Sequence, residues 1–333
     1  KVDWTPDPGA LLAHAQRVAG MAQDIAVASR ASALRALPTE AAKTLLKGSI
    51  SPMPLHRVLV LRDCLEALRD DRFHRHELLA LAKALPCRVG NLRFGPEVGV
   101  GQSKDDAPVL EVWLDEVRAM ADDLERAGGE SFASAQVHLR DSRDLSQLVP
   151  PGAIDAVVTS PPYPNEKDYT RIMRLEMAVL GLVQSPQDLQ SLKRTLLCSN
   201  TRTAYKANDD DRWVADLPAV TQLADAIEAR RLALGKTSGF ERQYHRVVRL
   251  YFGGMYRHLA SLRPLLRPGA RLAYVVGDQA SYLQVMIRTG QLLGEIAAAL
   301  GYEFLGLDLF RTRLATATRE QLREEVLLLR WPG

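Results

Sequence analysis

The feature that most constrains the fold is a short apolar run that stops at two successive prolines. Residues 154–159 (IDAVVT) are nearly all apolar, and Ser160, Pro161, Pro162 and Tyr163 follow directly. A nearly continuous apolar run of this length is typical of a buried parallel strand. Proline has no backbone N–H, so the strand has to end here. The sequence therefore predicts a buried strand whose carboxyl end carries a hydroxyl, two prolines and a tyrosine.

Strand patterns also occur on both sides of this run. Residues 135–139 and 271–278 have them, and the chain closes with two more at residues 304–310 and 325–330. Helical patterns separate these segments. Strands that alternate with helices predict an α/β fold with a parallel core and a terminal antiparallel hairpin. We expect run 154–159 to lie next to the strand at 271–278.

The first part of the chain has a different character. Up to residue 130, apolar side chains recur almost throughout at helical spacing. We therefore expect a helical region at residues 1–130, acting as a lid or a recognition element, and an α/β region at residues 131–333. Within the second region, residues 185–240 form a candidate insert.

Composition sets limits on the class of protein. The 333 residues are 47% hydrophobic, which is enough for a real core, and the formal charge of +3 does not by itself indicate nucleic acid. Cys64, Cys87 and Cys198 lie far apart without metal-ligand spacing, so we expect no metal and a reducing, cytoplasmic setting. No apolar run approaches the roughly 20 residues of a membrane span, so we expect no membrane partner.

The residues after the run at 154–159 suit one kind of chemistry. Ser160 offers an acceptor oxygen, the carbonyl of Pro161 offers a second, and Tyr163 offers a flat π-face. Two acceptors can hold the two N–H bonds of an exocyclic amino group while the ring stacks on the tyrosine. Catalysis of this kind depends on positioning and charge stabilisation. A base inside a duplex has to be flipped out to reach such a site.

Residues 154–163 resemble the catalytic motif of the DNA amino-methyltransferases. In that family a strand is followed by Asp, Asn or Ser, then by Pro-Pro and an aromatic residue. The serine form preceded by a threonine, as in Thr159-Ser160, is most typical of the cytosine-N4 enzymes. The resemblance implies a Rossmann-like class I methyltransferase sheet, S-adenosylmethionine as cofactor and DNA as partner. It also implies that Ser160, Pro161, Pro162 and Tyr163 form the catalytic site, in which Ser160 and the Pro161 carbonyl bind the amino group and Tyr163 stacks on the base.

The resemblance also implies where the cofactor lies. Asp141 matches the acidic position that faces the cofactor adenine, with Ser142 beside it, and Thr159 and Ser160 border the same site. The family's glycine-rich turn after a first strand is missing. The one glycine cluster upstream, Gly95 to Gly101, has no strand before it and is weak support for a cofactor loop. We expect the first two strands to precede Lys1 or to come from a second chain.

A candidate nucleic-acid surface follows the motif. Between residues 190 and 206 the chain carries Lys193, Arg194, Arg202 and Lys206 and no acidic residue. Basic, hydroxyl and amide side chains in a loop are typical of phosphate contacts. Asn165, just after the catalytic motif, is included among the candidate contacts. A different group of polar residues is predicted to be solvated surface: Arg242, Arg246, Arg249 and Arg257 on one helix, and His74 and His76.

Several functions remain open at this point. Within the enzymes, adenine N6 is an alternative to cytosine N4, and RNA is an alternative substrate. From a different class, the chain could be a non-catalytic nucleic-acid-binding remnant or subunit that lacks the cofactor loop. Retention of Ser160, both prolines and Tyr163 favours the enzyme, whereas the missing glycine turn favours the remnant.

Overall fold

A computed structural model describes residues 3–28, 34–95, 97–128, 133–315 and 319–333. The fold is mixed α/β, in agreement with the sequence. Two compact units divide the chain. The first comprises Lys1–Val137 and Tyr169–Leu192, and the second comprises His138–Asp168 and Lys193–Gly333.

The first unit consists mainly of helices, as the apolar periodicity predicts. They are α1 (Pro8–Ala28), α2 (Thr39–Ala42), α3 (Pro52–Ala67), α4 (His74–Ala84), α5 (Val109–Arg126), α6 (Tyr169–Ile172), α7 (Arg174–Val179) and α8 (Pro186–Thr195, whose last three residues are counted with the second unit). A π-helical turn at Leu85–Val89 extends α4. Helices α6 and α7 are both short and are separated by Met173. Between the π-helical turn and α5 lies an antiparallel ribbon of β1 (Leu92–Arg93) and β2 (Gly99–Val100).

Two histidines of the first unit lie elsewhere than the sequence predicts. His74 and His76 were expected at the surface, and both are buried. His76 Nε2 lies 3.0 Å from the carbonyl oxygen of Asp3, and His74 Nε2 lies 3.2 Å from a carboxylate oxygen of Glu66. Each contact gives one nitrogen of the ring a polar partner inside the protein, which sequence polarity alone does not predict.

The second unit is built on a four-stranded sheet. Its strands are β3 (Ile154–Thr159), β4 (Leu266–Gly277), β5 (Glu303–Leu314) and β6 (Gln321–Arg330), in the order β3-β4-β6-β5. Strands β3 and β4 are parallel, and β6 pairs antiparallel with both β4 and β5. The predicted neighbours and the predicted terminal hairpin are therefore confirmed.

Helices of the second unit share a core with this sheet. They are α9 (Pro218–Ala233), α10 (Tyr244–Leu262) and α11 (Thr289–Ala299), with 3-10 turns at Thr201–Thr203, Asp210–Val214, Glu241–Gln243 and Arg263–Leu265. Leu272, Tyr274 and Val276 of β4 are buried, as the two-residue period of a strand requires, and they join a core with Tyr251 and Phe252 of α10. No helix in the described ranges is both long and apolar enough to span a bilayer.

Two predictions about strands were wrong. Residues 135–139 form no strand, and Val137 and Leu139 are 77% and 98% exposed. A strand needs a hydrogen-bonding neighbour, and no other segment of the described residues supplies one here. Strand β3 is parallel to β4 as predicted, but it is not buried. Its second edge pairs with no strand in the described ranges, and Val158 is 82% exposed.

Candidate active site

The motif residues lie where two parallel strands end side by side. Thr159, the last residue of β3, is in register with Tyr274 of β4. One step further, the hydroxyl of Ser160 donates a hydrogen bond of 3.3 Å to the carbonyl oxygen of Val275. The exposed serine oxygen therefore has its proton directed into the sheet, and its lone pairs remain available to accept a hydrogen bond.

The prolines provide a second acceptor next to the first. Pro161 and Pro162 are half-buried, and neither has an N–H that could bind the strand end. In the part of the chain that the structure describes, no donor meets the carbonyl oxygen of Pro161. A carbonyl at the mouth of the site is thus available beside the serine oxygen.

Tyr163 is fixed by a residue far along the chain. Its hydroxyl donates a hydrogen bond of 2.9 Å to Oε1 of Glu324 in β6, and the other oxygen of Glu324 pairs with Arg311 of β5. The hydrogen bond from Arg311 lowers the pKa of Glu324; burial opposes this shift and Tyr163 adds to it. Glu324 is therefore an ionised acceptor, and the phenol has one preferred partner.

The tyrosine ring also needs the space left by a glycine. A Cβ placed on Gly277, at the end of β4, would lie 3.0 Å from Cε2 and 3.5 Å from Cδ2 of Tyr163. Contacts of 3.0 Å are tighter than most real Cβ contacts. The absence of a side chain at Gly277 therefore allows the ring to lie against the end of β4.

Asn165 holds the loop after the motif in place. Its backbone N–H donates to the carbonyl oxygen of Ser199 at 3.0 Å, and its amide group donates to Gln279 Oε1 at 3.4 Å. Its own side-chain oxygen accepts from the backbone of Lys167 at 2.9 Å. Asn165 is buried. These contacts assign it a role in positioning the loop.

The four candidate cations fall into two kinds. Lys193 is buried, and its ammonium lies 2.8 Å from a carboxylate oxygen of Asp168, which is buried too. Arg194, Arg202 and Lys206 are exposed. The guanidinium of Arg194 lies 5.5 Å from the ring centre of Tyr205, and that of Arg202 lies 5.9 Å from the ring centre of Phe240. Three of the four cations therefore face solvent.

Asp141 and Ser142 belong to a separate hydrogen-bonded network. Arg143 donates to Asp141 from Nε at 3.0 Å and from Nη2 at 2.6 Å, so both carboxylate oxygens are occupied. Burial raises the pKa of Asp141, but the hydrogen bonds from Arg143 outweigh it and the net pKa is lowered. The carbonyl oxygen of Ser142 lies 2.8 Å from Nδ1 of His258, whose Nε2 lies 2.8 Å from the hydroxyl of Tyr274.

Asp210 joins this network to α10, and sequence reasoning missed it. Its two oxygens bind Arg143 at 2.7 Å and Arg257 at 2.6 Å, and its side chain is 2% exposed. A Cβ on Gly253 of α10 would lie 1.9 Å from the backbone oxygen of Asp210. The glycine pair Gly253–Gly254 within a helical pattern was the available signal, because such glycines mark a close approach of another backbone.

The arginines of α10 are less solvated than expected. Arg246 donates to the carbonyl oxygens of Tyr205 and Asn208 at 2.9 and 3.1 Å. Arg257 binds Asp210, and Arg249 pairs with Asp225. The expectation of a purely solvated face is therefore wrong for these three residues, since each one ties α10 to a neighbouring segment.

The described residues do not by themselves form a cradle for S-adenosylmethionine. The carboxylate of Asp141 is taken by Arg143, and the glycines of α10 accommodate Asp210. Cβ atoms on Gly95 and Gly101 would meet only the chain's own atoms at 3.4 Å or more. We therefore derive no step through this cofactor from these residues. In the described ranges no group of three or more His, Cys, Asp and Glu residues could hold a metal ion.

Comparison with known proteins relates the chain to methyltransferases. Type II methyltransferase M.AvaI from Nostoc sp. is 27% identical in an alignment of length 194 that covers 54% of this chain and 38% of that protein. The protein of the same name from Anabaena variabilis gives the same values. Type II methyltransferase M.BsoBI from Geobacillus stearothermophilus is 24% identical in an alignment of length 232 that covers 64% of this chain and 44% of that protein.

The chain thus spans less than half of the length of these curated relatives. No family model matches it, and no solved structure does either. The similarity extends over more than half of this chain, so it supports a methyltransferase as the class of protein to which the fold and the motif point.

Proposed function

We propose that this chain carries the target-base site of an S-adenosylmethionine-dependent DNA methyltransferase that acts on an exocyclic amino group, with cytosine N4 as the target. The single observation that supports this most is the hydrogen bond from Ser160 to Val275. It gives the serine proton an acceptor in the sheet and leaves the lone pairs of the serine oxygen at the mouth of the site. The named similarity to Type II methyltransferases supports the same class of reaction.

The proposed division of labour follows from the geometry of the strand end. The oxygen of Ser160 and the carbonyl of Pro161 accept the two N–H bonds of the amino group, and Pro162 keeps the backbone rigid. Tyr163 stacks on the flipped base, held by Glu324. Acceptors fixed before the substrate arrives stabilise the developing charge without reorganising.

The helical region and the candidate insert are also assigned roles in this proposal. The helical residues 1–130 are a lid or recognition element, and residues 185–240 are a DNA-recognition insert within the catalytic region 131–333. Arg194, Arg202 and Lys206 contact backbone phosphates, and buried Lys193 and Asn165 support the loop that carries them. The setting is the cytoplasm.

A further segment completes the cofactor site in this proposal. It brings a glycine turn, from the same polypeptide or from a second chain, and its strands add to the second edge of β3. That edge pairs with no strand in the described ranges, and open strand edges tend to recruit further strands. Asp141, Ser142, Thr159 and Ser160 border the completed site.

The test uses the natural protein with DNA and S-adenosylmethionine. Mass spectrometry of the digested nucleosides should show N4-methylcytosine that depends on the cofactor and is absent with Ser160→Ala. If N6-methyladenine is found instead, the reaction stands and the target base is adenine. If methylated nucleosides are found in RNA alone, the substrate is RNA. No methylated nucleoside in any substrate would overturn the proposal.

A non-catalytic, nucleic-acid-binding role is the second candidate. The observation that favours it is the pairing of Asp141 with Arg143, because the carboxylate that the resemblance assigns to the cofactor already binds a guanidinium through both oxygens. In that case Ser160→Ala would leave all functions of the natural protein unchanged, and DNA would bind equally well with and without S-adenosylmethionine.

A further inference from the structure

A polar cavity of about 460 Å³ opens in the second unit, among residues outside the catalytic motif. It is surrounded by the loop at residues 205–210 and by three arginines. The lining consists of Arg143, Arg194, Tyr205, Lys206, Ala207, Asn208, Asp209, Asp210 and Arg257. Four of these nine residues are cationic and two are acidic, so the cavity has an excess of positive charge.

The acidic residues of the lining are already engaged. Asp210 is buried between Arg143 and Arg257, and Asp209 pairs with Arg212 at 3.1 Å. Arg143 is also committed, because Asp141, Asp210 and the carbonyl oxygen of Arg194 accept its hydrogen bonds. These paired charges form the bottom of the cavity and largely neutralise one another.

Three cations of the lining keep unused donors. Arg257 binds Asp210 through Nη1, and in the described ranges no acceptor meets its Nε or Nη2. Lys206 is exposed and has no ion pair among the described residues. Arg194 lies against the ring of Tyr205 and has no carboxylate partner in that part of the chain. Several charged donors around one cavity form a site for an anion.

The loop that carries Lys206 is held in shape before any ligand arrives. Arg246 donates to the carbonyl oxygens of Tyr205 and Asn208, and the side chain of Asn208 donates to the carbonyl oxygen of Thr203 at 3.2 Å. Asp210 then fixes the end of the loop to α10. A preformed site loses less conformational entropy on binding than a flexible one.

We infer that this cavity binds a phosphodiester of the DNA backbone, which rests on the proposed function. Arginine guanidinium and lysine ammonium groups are the usual hydrogen-bond donors to phosphate oxygens in proteins. The volume accommodates a phosphate together with part of its flanking sugars. The cavity holds the strand in register while another nucleotide occupies the Ser160 site, because phosphate contacts position a nucleic acid without reading its sequence.

The experiment measures DNA binding by fluorescence anisotropy at several salt concentrations, with the full chain and an oligonucleotide duplex. The variants are Arg194→Gln and Lys206→Gln. Arg271→Gln is the matched control, because Arg271 is an exposed cation at the amino end of the paired part of β4 and does not line the cavity. Each cavity variant should reduce the slope of log affinity against log salt by about 0.9, the value for one lost phosphate contact, whereas the control keeps the slope.

Two further arms identify the ligand. When a single neutral methylphosphonate is moved along one strand of the duplex, one position should abolish the difference in affinity between the unchanged protein and Lys206→Gln. Inorganic phosphate at equal ionic strength should not displace the duplex. Equal slopes for the cavity and control variants, or no measurable DNA binding, would overturn the inference. Displacement by inorganic phosphate would also overturn it and would assign the cavity to a small free anion.

These outcomes are independent of methyl transfer. If the slopes fall as expected and no methylated nucleoside is found, the phosphate site is supported and the proposed function is rejected. If DNA is methylated and the slopes are unchanged, the proposed function is supported and the phosphate site is rejected.

Discussion

The hydroxyl of Tyr163 and the carboxylate of Glu324 form a 2.9 Å hydrogen bond between residues 161 positions apart in the chain. The bond joins the loop after β3 to β6, and Arg311 of β5 holds the same carboxylate from its other side. The ring that is proposed to stack on the flipped base is therefore oriented by two strands at the far side of the sheet.

The first prediction concerns this hydrogen bond. Tyr163→Phe keeps the stacking face and loses the bond to Glu324, so the flipped base should bind about 3- to 10-fold more weakly, the loss of roughly one hydrogen bond. Tyr163→Ala should lose more, because stacking on an aromatic ring is worth about 1–3 kcal/mol per base. The measurement is the fluorescence of 2-aminopurine placed next to the target cytosine, which rises when that cytosine leaves the stack. Glu324→Gln, which keeps an acceptor oxygen, should lie close to the unchanged protein, and equal effects of all three variants would contradict the anchoring role.

The second prediction concerns the acceptor at the strand end. Ser160→Ala removes the oxygen proposed to bind the amino group, so single-turnover methyl transfer should fall by about 10²- to 10³-fold, as for the loss of one preorganised hydrogen-bonding group. The free energy of unfolding should change little, because Ser160 is exposed. Ser238→Ala, at another exposed serine, serves as the control. A rate within about threefold of the unchanged protein would remove Ser160 from the site.

The third prediction concerns Gly277. Gly277→Ala places a methyl group 3.0 Å from Cε2 of Tyr163, so the ring has to shift by a few tenths of an ångström. Because a misplacement of about 1 Å costs about 10²-fold in rate, we expect methyl transfer to fall by roughly 3- to 10-fold. Gly239→Ala is the matched control, since nothing lies within 4 Å of a Cβ there. The comparison is made on rates at saturating DNA, and identical rates for the two variants would show that the ring tolerates the shift.

The fourth prediction concerns Asp210. Asp210→Asn weakens two ion pairs at once and leaves Arg143 buried without one of its carboxylates. Breaking a buried pair by removing one partner typically costs about 3–5 kcal/mol; since Arg143 keeps Asp141, we expect a loss of about 2–3 kcal/mol in the free energy of unfolding. Asp209→Asn, next in the chain but exposed, should cost less than about 1 kcal/mol. Urea unfolding measures both, and equal losses would contradict the special role of Asp210.

The fifth prediction concerns acid. The net pKa of Asp141 is lowered in the folded state, because its hydrogen bonds from Arg143 outweigh the burial that raises it. The unfolded chain has a pKa of about 3.9 for this group, so its stabilising contribution is present above about pH 4 and is lost as the pH falls through the lower folded value. Unfolding measured between about pH 5 and pH 2.5 should therefore depend less on pH in Asp141→Asn than in the unchanged protein. Asp308→Asn, at an exposed carboxylate of β5, should keep the original dependence.

Local features of the sequence were enough to predict much of the fold and to single out the candidate site at the end of β3. The apolar run of β3, the two prolines that end it and the alternation along β4 all depend on neighbours in the chain, as helical periodicity does in α1, α3 and α5. The same local signals predicted a strand at residues 135–139 that the structure lacks. A strand pattern shows that a segment can form a strand, but the strand forms only where another segment lies close enough to share hydrogen bonds.

Tertiary structure alone decided the partners of the charged and polar side chains. Lys193 and Arg194 are adjacent and both basic, yet the first is buried on Asp168 and the second faces a cavity. Likewise, nothing local to Asp141 or Tyr163 distinguishes Arg143 or Glu324 from the other charged residues of the chain. The energy of an ion pair or hydrogen bond depends on the distance between atoms and on their burial, and both are set only when segments far apart in sequence pack together.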